Sequence, residues 1–211
     1  MTSATPALKW PADLVENAAD RFIAELQKGF LADRPSAVGT LAQLRRGAGK
    51  LPEDVPELWG VTGAERLFAD ESLSRDERLV ARSETAYFLA VTLYALHQQS
   101  QAGPMHKKGV DLGQSVRRLM PNPSEIDETI RRRFVRVGTA ATSEILAYRL
   151  REVISLLRGE GIPLDYGRLA RQLYKAQTPD GLNEIRRDWG RGFHTYKADA
   201  DDGAPTDKDT A

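Results

Sequence analysis

Apolar residues recur every three or four positions along most of this chain, and this spacing restricts the fold more than any other feature. An α-helix has 3.6 residues per turn, so residues spaced in this way share one face that packs into a core. The pattern predicts helices at about 13–31, 36–46, 53–59, 75–101, 114–120, 124–138, 143–158, 165–177 and 179–196. No segment alternates like a strand, so we expect an all-α protein of eight or nine helices without a significant sheet.

The same pattern predicts how the chain is divided. Residues 1–8 and 198–211 lack periodic apolar positions, so we expect two disordered ends. Gly103-Pro104 ends the longest helix, because proline cannot continue a helical hydrogen-bond ladder. This break predicts two packed helical bundles, an N-terminal one at 9–104 and a basic C-terminal one at 105–197.

Individual residues follow from the predicted helices. We expect Ser36 to cap the second helix, and Ser124 with Asp127 to cap the helix that ends at Gly138. The predicted core includes Val15, Ala18, Phe22, Leu26, Phe30, Val38, Leu41, Leu44, Ile126, Ile130, Phe134, Val137, Leu146, Leu150, Val153, Leu157, Leu182, Ile185, Trp189 and Phe193.

Several classes of function lack support in the sequence. The chain has no cysteine, and its three histidines have no neighbour at metal-ligand spacing. It also lacks a glycine-rich phosphate loop and a nucleophile elbow. We therefore expect no enzymatic activity, metal, cofactor or small-molecule substrate. The start of the sequence does not resemble a signal peptide, and the apolar stretch 86–96 is too short to span a bilayer, so we expect a soluble, cytoplasmic protein with no membrane partner.

The formal net charge of zero conceals an uneven distribution of charge. Residues 1–99 contain 11 lysines and arginines against 14 acidic residues, whereas residues 100–197 contain 18 against 11. Residues 198–211 contain one lysine against five acidic residues. An acidic tail therefore offsets a basic C-terminal body, and such a body is typical of proteins that bind polyanions.

The basic residues lie together on the outer faces of their predicted helices. On the helix at 165–177, Arg168, Arg171 and Lys175 share the face opposite the apolar stripe, and no acidic residue of that helix lies among them. Like charges one turn apart destabilise a helix by a few tenths of a kcal/mol, and a bound polyanion would turn this cost into attraction. On the helix at 124–138, Arg132 and Arg136 point away from the predicted core and Arg133 lies on the adjoining flank. On the helix at 143–158, the apolar stripe faces inward and Arg151 shares another side with Arg158.

Three interpretations of these faces remain open on the residues alone. Guanidinium groups suit phosphate oxygens, which favours nucleic-acid backbone, with few aromatic residues to stack on bases. A solvated surface explains them equally well, since arginine favours helices and cations favour helix C-termini, as at Arg45 and Arg46 before Gly47. The third interpretation is a helical scaffold that docks an acidic protein partner through its basic face.

Three sequence blocks, in order, resemble a known family. They are Ala42-Gln-Leu-Arg-Arg46, then Gly109-Val-Asp-Leu-Gly113, and then Arg131-Arg-Arg-Phe-Val-Arg136 followed by Ile162-Pro-Leu-Asp-Tyr166-Gly-Arg-Leu-Ala-Arg-Gln-Leu-Tyr174. Over roughly residues 13–197 the chain resembles CasB, the small subunit of the type I-E CRISPR Cascade surveillance complex.

The resemblance implies a non-catalytic, all-helical subunit that binds nucleic-acid backbone without reading sequence. Its implied partners are crRNA and target DNA, other Cascade subunits and a second copy of itself, and its implied task is to support the R-loop. Combined with the basic faces, it gives eleven candidate nucleic-acid-binding residues: Arg45, Arg46, Lys107, Lys108, Arg132, Arg133, Arg136, Arg151, Arg168, Arg171 and Lys175.

Overall fold

The computed structural model describes residues 11–68, 76–120, 122 and 125–195; both ends predicted to be disordered lie outside these ranges. The described part contains nine α-helices: α1 (Pro11–Leu31), α2 (Pro35–Leu44), α3 (Glu65–Phe68), α4 (Glu77–Gln98), α5 (Leu112–Arg118), α6 (Glu128–Gly138), α7 (Ser143–Gly159), α8 (Tyr166–Ala176) and α9 (Gly181–Thr195). Three short 3-10 helices lie between α2 and α3, at Arg45–Gly47, Pro52–Asp54 and Pro56–Leu58. These residues form no strand, and only one isolated bridge pairs His106 with Leu164. The all-α prediction is confirmed.

Helix ends follow local side-chain chemistry. The Asp165 carboxylate accepts a hydrogen bond from the backbone N–H of Arg168 at 2.9 Å, which satisfies a free donor in the first turn of α8. Asp127 caps α6 in the same way, and Ser124 lies outside the described residues. The prediction that Ser36 caps α2 is wrong. Helix α2 already begins at Pro35, so Ser36 lies inside its first turn and not at the capping position. Proline is favoured at the first position of a helix because it has no backbone N–H that would need a partner.

Helix α4 is the centre of the molecule. It is buried on all sides from Ala86 to Gln98, with α1, α7 and α8 packed around it. None of the described helices is both long and apolar enough to cross a membrane. One hydrophobic cluster contains residues from both sides of the boundary predicted at residue 105, for example Ile23 and Leu173. The division into two packed bundles stays a prediction.

Two predicted core residues are exposed instead. Val38 is 42% exposed, because α2 buries Ala37, Leu41 and Leu44 and Val38 lies beside that face. Ile126 is 50% exposed, because α6 begins only at Glu128 and the helical spacing does not extend back to this residue. The other predicted core positions are buried or half-buried.

A small polar network lies inside this core. His97 is fully buried, and its Nδ1 lies 2.8 Å from the hydroxyl of Tyr166 on α8. Burial lowers the pKa of His97 to about 4, and the nearby charge of Arg158 contributes in the same direction. His106 Nδ1 accepts the backbone N–H of Tyr166 at 3.2 Å, while its Nε2 lies 3.2 Å from an Asp20 oxygen. The network ties α1, α4 and the loop before α5 to the start of α8.

Candidate nucleic-acid interface

The basic stripe of α8 is paired with carboxylates. Arg171 lies 2.8 Å from Asp13 and 3.1 Å from Glu16, both on α1. Arg168 lies 3.6 Å from Asp111, the residue that caps α5. No acidic residue of α8 itself lies in this stripe, as the sequence predicts, but acidic residues of other elements pack against it and neutralise it.

Two further candidate cations are also paired. The Lys175 ammonium lies 2.6 Å from the Glu184 carboxylate on α9, and this contact lowers the pKa of Glu184. Lys108 lies 2.8 Å from Asp20, and the hydrogen bond to that carboxylate raises the pKa of Lys108. Each of these four cations thus joins two elements of the fold. A polyanion would have to compete with an existing partner at each of them.

The other candidate cations have no carboxylate within 4.0 Å in the part of the chain that the structure describes. These exposed residues are Arg45, Arg46, Lys107, Arg132, Arg133, Arg136 and Arg151. The positive charge of a side chain without a carboxylate partner is fully available to attract an anionic ligand. The physical case for phosphate binding therefore rests on this set.

Two of these arginines, on neighbouring helices, line the same groove. Arg133 on α6 and Arg151 on α7 line one shallow groove of about 400 Å³, together with Tyr148. The packing of α6 on α7 creates this arrangement. The outward face of α7 is free for it because Leu146 and Leu150 are buried on the opposite side.

Arg151 also reaches the turn after α2. Its Cδ lies 2.8 Å from the position that a Cβ at Gly49 would occupy, so the arginine side chain packs on the glycine backbone. Arg133 and Arg151, with Tyr148 between their helices in the same groove, form what we call the α6–α7 basic surface. Arg45 lines a different groove with Phe30 and Gln99, and Arg46 follows it in the 3-10 helix after α2.

The remaining unpaired cations lie beside this surface or away from it. Arg132 and Arg136 are on α6, one residue before and three residues after Arg133, and the Arg132 side chain donates to the Glu128 carbonyl at 3.3 Å. Lys107 lies elsewhere, since its backbone N–H donates to Leu164 just before α8. The predicted cations thus do not all converge on one track.

Sequence analysis missed Tyr148, which is 53% exposed in the groove. A signal was available, because Tyr148 lies two residues from both Leu146 and Leu150, on the polar side of the predicted helix. An aromatic side chain at such a position does not pack into the hydrophobic core. Of the two described tryptophans, Trp189 is buried and Trp59 is 75% exposed.

The described residues contain no group of three or more histidine, aspartate or glutamate side chains placed to hold a metal ion. The α6–α7 basic surface combines fixed positive charge with an exposed aromatic ring. These groups are chemically suited to anions and to aromatic ligands.

Comparison with known proteins gives a consistent result. The family model for the CRISPR-associated protein Cse2 matches residues 40–194. A crystal structure of CasB from Thermobifida fusca is 49% identical to this chain, with a TM-score of 0.78, and the match covers 86% of this chain and 98% of that one. A comparison with proteins of curated function found no match.

Two more distant structures share the fold. A CRISPR-associated protein of the Cse2 family from Thermus thermophilus is 20% identical with a TM-score of 0.59, and the match covers 83% of this chain and 97% of that one. A chain in a structure of a CRISPR RNA-guided surveillance complex is 22% identical with a TM-score of 0.62, with coverage of 86% and 96%.

Proposed function

The chain belongs to the CRISPR-associated Cse2 family, and on that premise we propose that it is the non-catalytic small subunit of a type I-E Cascade complex. In this role it binds nucleic-acid backbone without sequence specificity and stabilises the crRNA-guided R-loop. Its partners are crRNA, target DNA, the other Cascade subunits and a second copy of itself, in the cytoplasm. The family supports a structural role, since Cse2 is not a known enzyme family.

The observation that carries this proposal is that two arginines without carboxylate partners line the same groove of the α6–α7 basic surface. Arg133 and Arg151 come from different helices, line the same groove and have no carboxylate partner among the described residues. A phosphate backbone lying in the groove would be attracted to both guanidinium groups and would release its own counterions on binding. A polyanion is therefore the kind of ligand that this surface favours.

Backbone binding suits the task because base pairing between guide and target already supplies specificity. Replacing a DNA duplex by an RNA–DNA duplex of similar length is nearly balanced in free energy. A few contacts to phosphates therefore shift the balance toward the open R-loop. Side chains that read bases are not required for this effect.

R-loop formation by the assembled complex tests the proposal. In a Cascade complex reconstituted with Arg133→Glu/Arg151→Glu, we expect about tenfold less R-loop at limiting complex concentration, since two phosphate contacts become repulsive. The control is Arg21→Glu/Arg78→Glu, which changes the net charge equally at exposed arginines of α1 and α4. Equal R-loop yields for the two double variants would contradict the proposal.

A helical scaffold that docks an acidic protein is the alternative interpretation of the same cations. In that case Arg133→Glu/Arg151→Glu prevents assembly with another subunit, and R-loop formation fails for that reason. Size-exclusion chromatography of the reconstituted variant complex separates the outcomes. The proposal expects full assembly with a weakened R-loop, and the scaffold interpretation expects a complex that lacks this chain.

A further inference from the structure

The groove of the α6–α7 basic surface contains an aromatic ring that does not pack in the core. Tyr148 is 53% exposed, and its hydroxyl has no hydrogen-bond partner in the described chain. Helix α7 already buries Leu146, Leu150 and Val153 in the core. The ring therefore lies largely in solvent, at the surface of α7.

The charges around this ring favour an anion with an aromatic part. Arg133 and Arg151 line the groove beside Tyr148 and have no carboxylate partner in the described ranges. The groove has one carboxylate, Glu152, which is paired with Arg149 at 3.0 Å. The Arg149 guanidinium also lies 5.5 Å from the centroid of the Tyr148 ring, where a cation is attracted to the ring face. The acid is thus neutralised, and the net charge of the groove is positive.

We infer that this groove is a subsite for an unpaired nucleotide, whose base stacks on Tyr148 while its flanking phosphates contact Arg133 and Arg151. The inference rests on the proposed function, since it uses the same two arginines, and it adds a preference for strand type. Bases in a duplex are already stacked on their neighbours, so only an unpaired strand can place a base on the ring. Every base has a flat face, so this contact requires no particular sequence.

The groove has room for such a ligand. Its volume of about 400 Å³ falls within the range of small-molecule sites, and it is open to solvent along the α6–α7 contact. Arg151 is held in position by Gly49, so a phosphate contact there does not need a large rearrangement of the side chain. A strand lying along the groove would pass from Arg133 on α6 to Arg151, beside the turn that contains Gly49.

Binding of three labelled DNAs to the purified full-length protein at low salt tests the inference. The probes are a 12-nucleotide oligothymidine, an oligonucleotide of the same length with abasic sites throughout, and a duplex of the same length. For Tyr148→Ala we expect about tenfold weaker binding of oligothymidine, since stacking of one base on an aromatic residue is worth a factor of about 5 to 160. Its binding to the abasic and duplex probes should match that of the wild type.

The matched control is Tyr148→Phe, which keeps the ring and removes the hydroxyl, and it should bind all three probes like the wild type. Equal binding of oligothymidine by Tyr148→Ala and wild type overturns the inference, as does equal binding of oligothymidine and the abasic strand by the wild type. If Arg133→Glu/Arg151→Glu weakens all three probes while Tyr148→Ala weakens none, only the stacking fails. If neither variant weakens any probe, or if the wild type binds none of them, the proposed function fails as well.

Discussion

The Cδ of Arg151 lies 2.8 Å from the position that a Cβ at Gly49 would occupy, so the arginine packs directly on the glycine backbone. Gly49 has a φ of +81°, a backbone conformation that is unfavourable for residues other than glycine. This contact joins the turn that follows α2 to helix α7. The glycine therefore fixes both the turn and the position of one guanidinium group of the α6–α7 basic surface.

Replacing this glycine should affect both stability and binding. In Gly49→Ala the added Cβ is strained at positive φ, which costs about 1 kcal/mol and lowers the melting temperature by about 2–4 °C. The Cβ also displaces Arg151, so binding to single-stranded DNA should weaken. Thermal denaturation and a fluorescence titration measure the two effects.

Gly60→Ala is the matched control, because Gly60 has a φ of +77° and nothing lies within 4 Å of its Cβ position. It should lose similar stability and keep the affinity of the wild type. If both variants lose affinity equally, the contact between Gly49 and Arg151 has no role in binding.

The pairing of Arg171 with Asp13 predicts a structural role for the α8 stripe. Both side chains are partly exposed, at 42% and 38%, so a double-mutant cycle on alanine variants should give a coupling energy of about 0.2–1 kcal/mol in urea unfolding. Arg171→Ala should bind single-stranded DNA nearly as well as the wild type. No coupling, together with a loss of DNA affinity, would instead place Arg171 at the nucleic-acid interface.

Sequence periodicity predicted α8 well, because its apolar stripe is a local feature. Periodicity did not predict which carboxylates pair with the arginines of α8. Arg171 and Glu16 are 155 residues apart, and the spacing of residues within one helix does not show which other helix packs beside it. The same limit explains why the groove was missed. Arg133 and Tyr148 lie on separate helices, and only the packing of α6 on α7 brings them together.

The buried His97 predicts a loss of stability in mild acid. The pKa of His97 is about 4 in the folded protein and ordinarily 6.5. At a pH between these two values the unfolded chain binds a proton at this histidine and the folded protein does not, which stabilises the unfolded state. The contribution of His97 to stability is therefore complete above pH 6.5 and declines as the pH falls toward 4. We expect the free energy of unfolding to be about 2 kcal/mol lower at pH 5 than at pH 7.5.

Urea unfolding across this pH range measures the decline. His97→Gln should remove most of the pH dependence whatever its effect on absolute stability, while His194→Gln, at an exposed position, should leave it unchanged. A wild-type stability that is flat between pH 7.5 and 5 would contradict this account of the core.

Removing the carboxylate of the groove should free the charge of Arg149 and strengthen binding. Glu152→Gln removes a negative charge and releases Arg149 from its 3.0 Å ion pair. Charges a few ångströms apart in water interact by about 1 kcal/mol, so the affinity for oligothymidine should rise by about fivefold. Glu160→Gln, at an exposed position just beyond the end of α7, is the control and should change little. Unchanged binding by Glu152→Gln would place the strand away from the groove.

The salt dependence of single-strand binding tests the central claim most directly, because it counts the phosphates that the protein neutralises. The measurement is the slope of the logarithm of the affinity against the logarithm of salt concentration, for the wild type and for Arg133→Gln/Arg151→Gln. Each lost phosphate contact should reduce the magnitude of the slope by about 0.7, so the double variant should lose about 1.4. A slope equal to that of the wild type would show that these two arginines do not contact the nucleic-acid backbone.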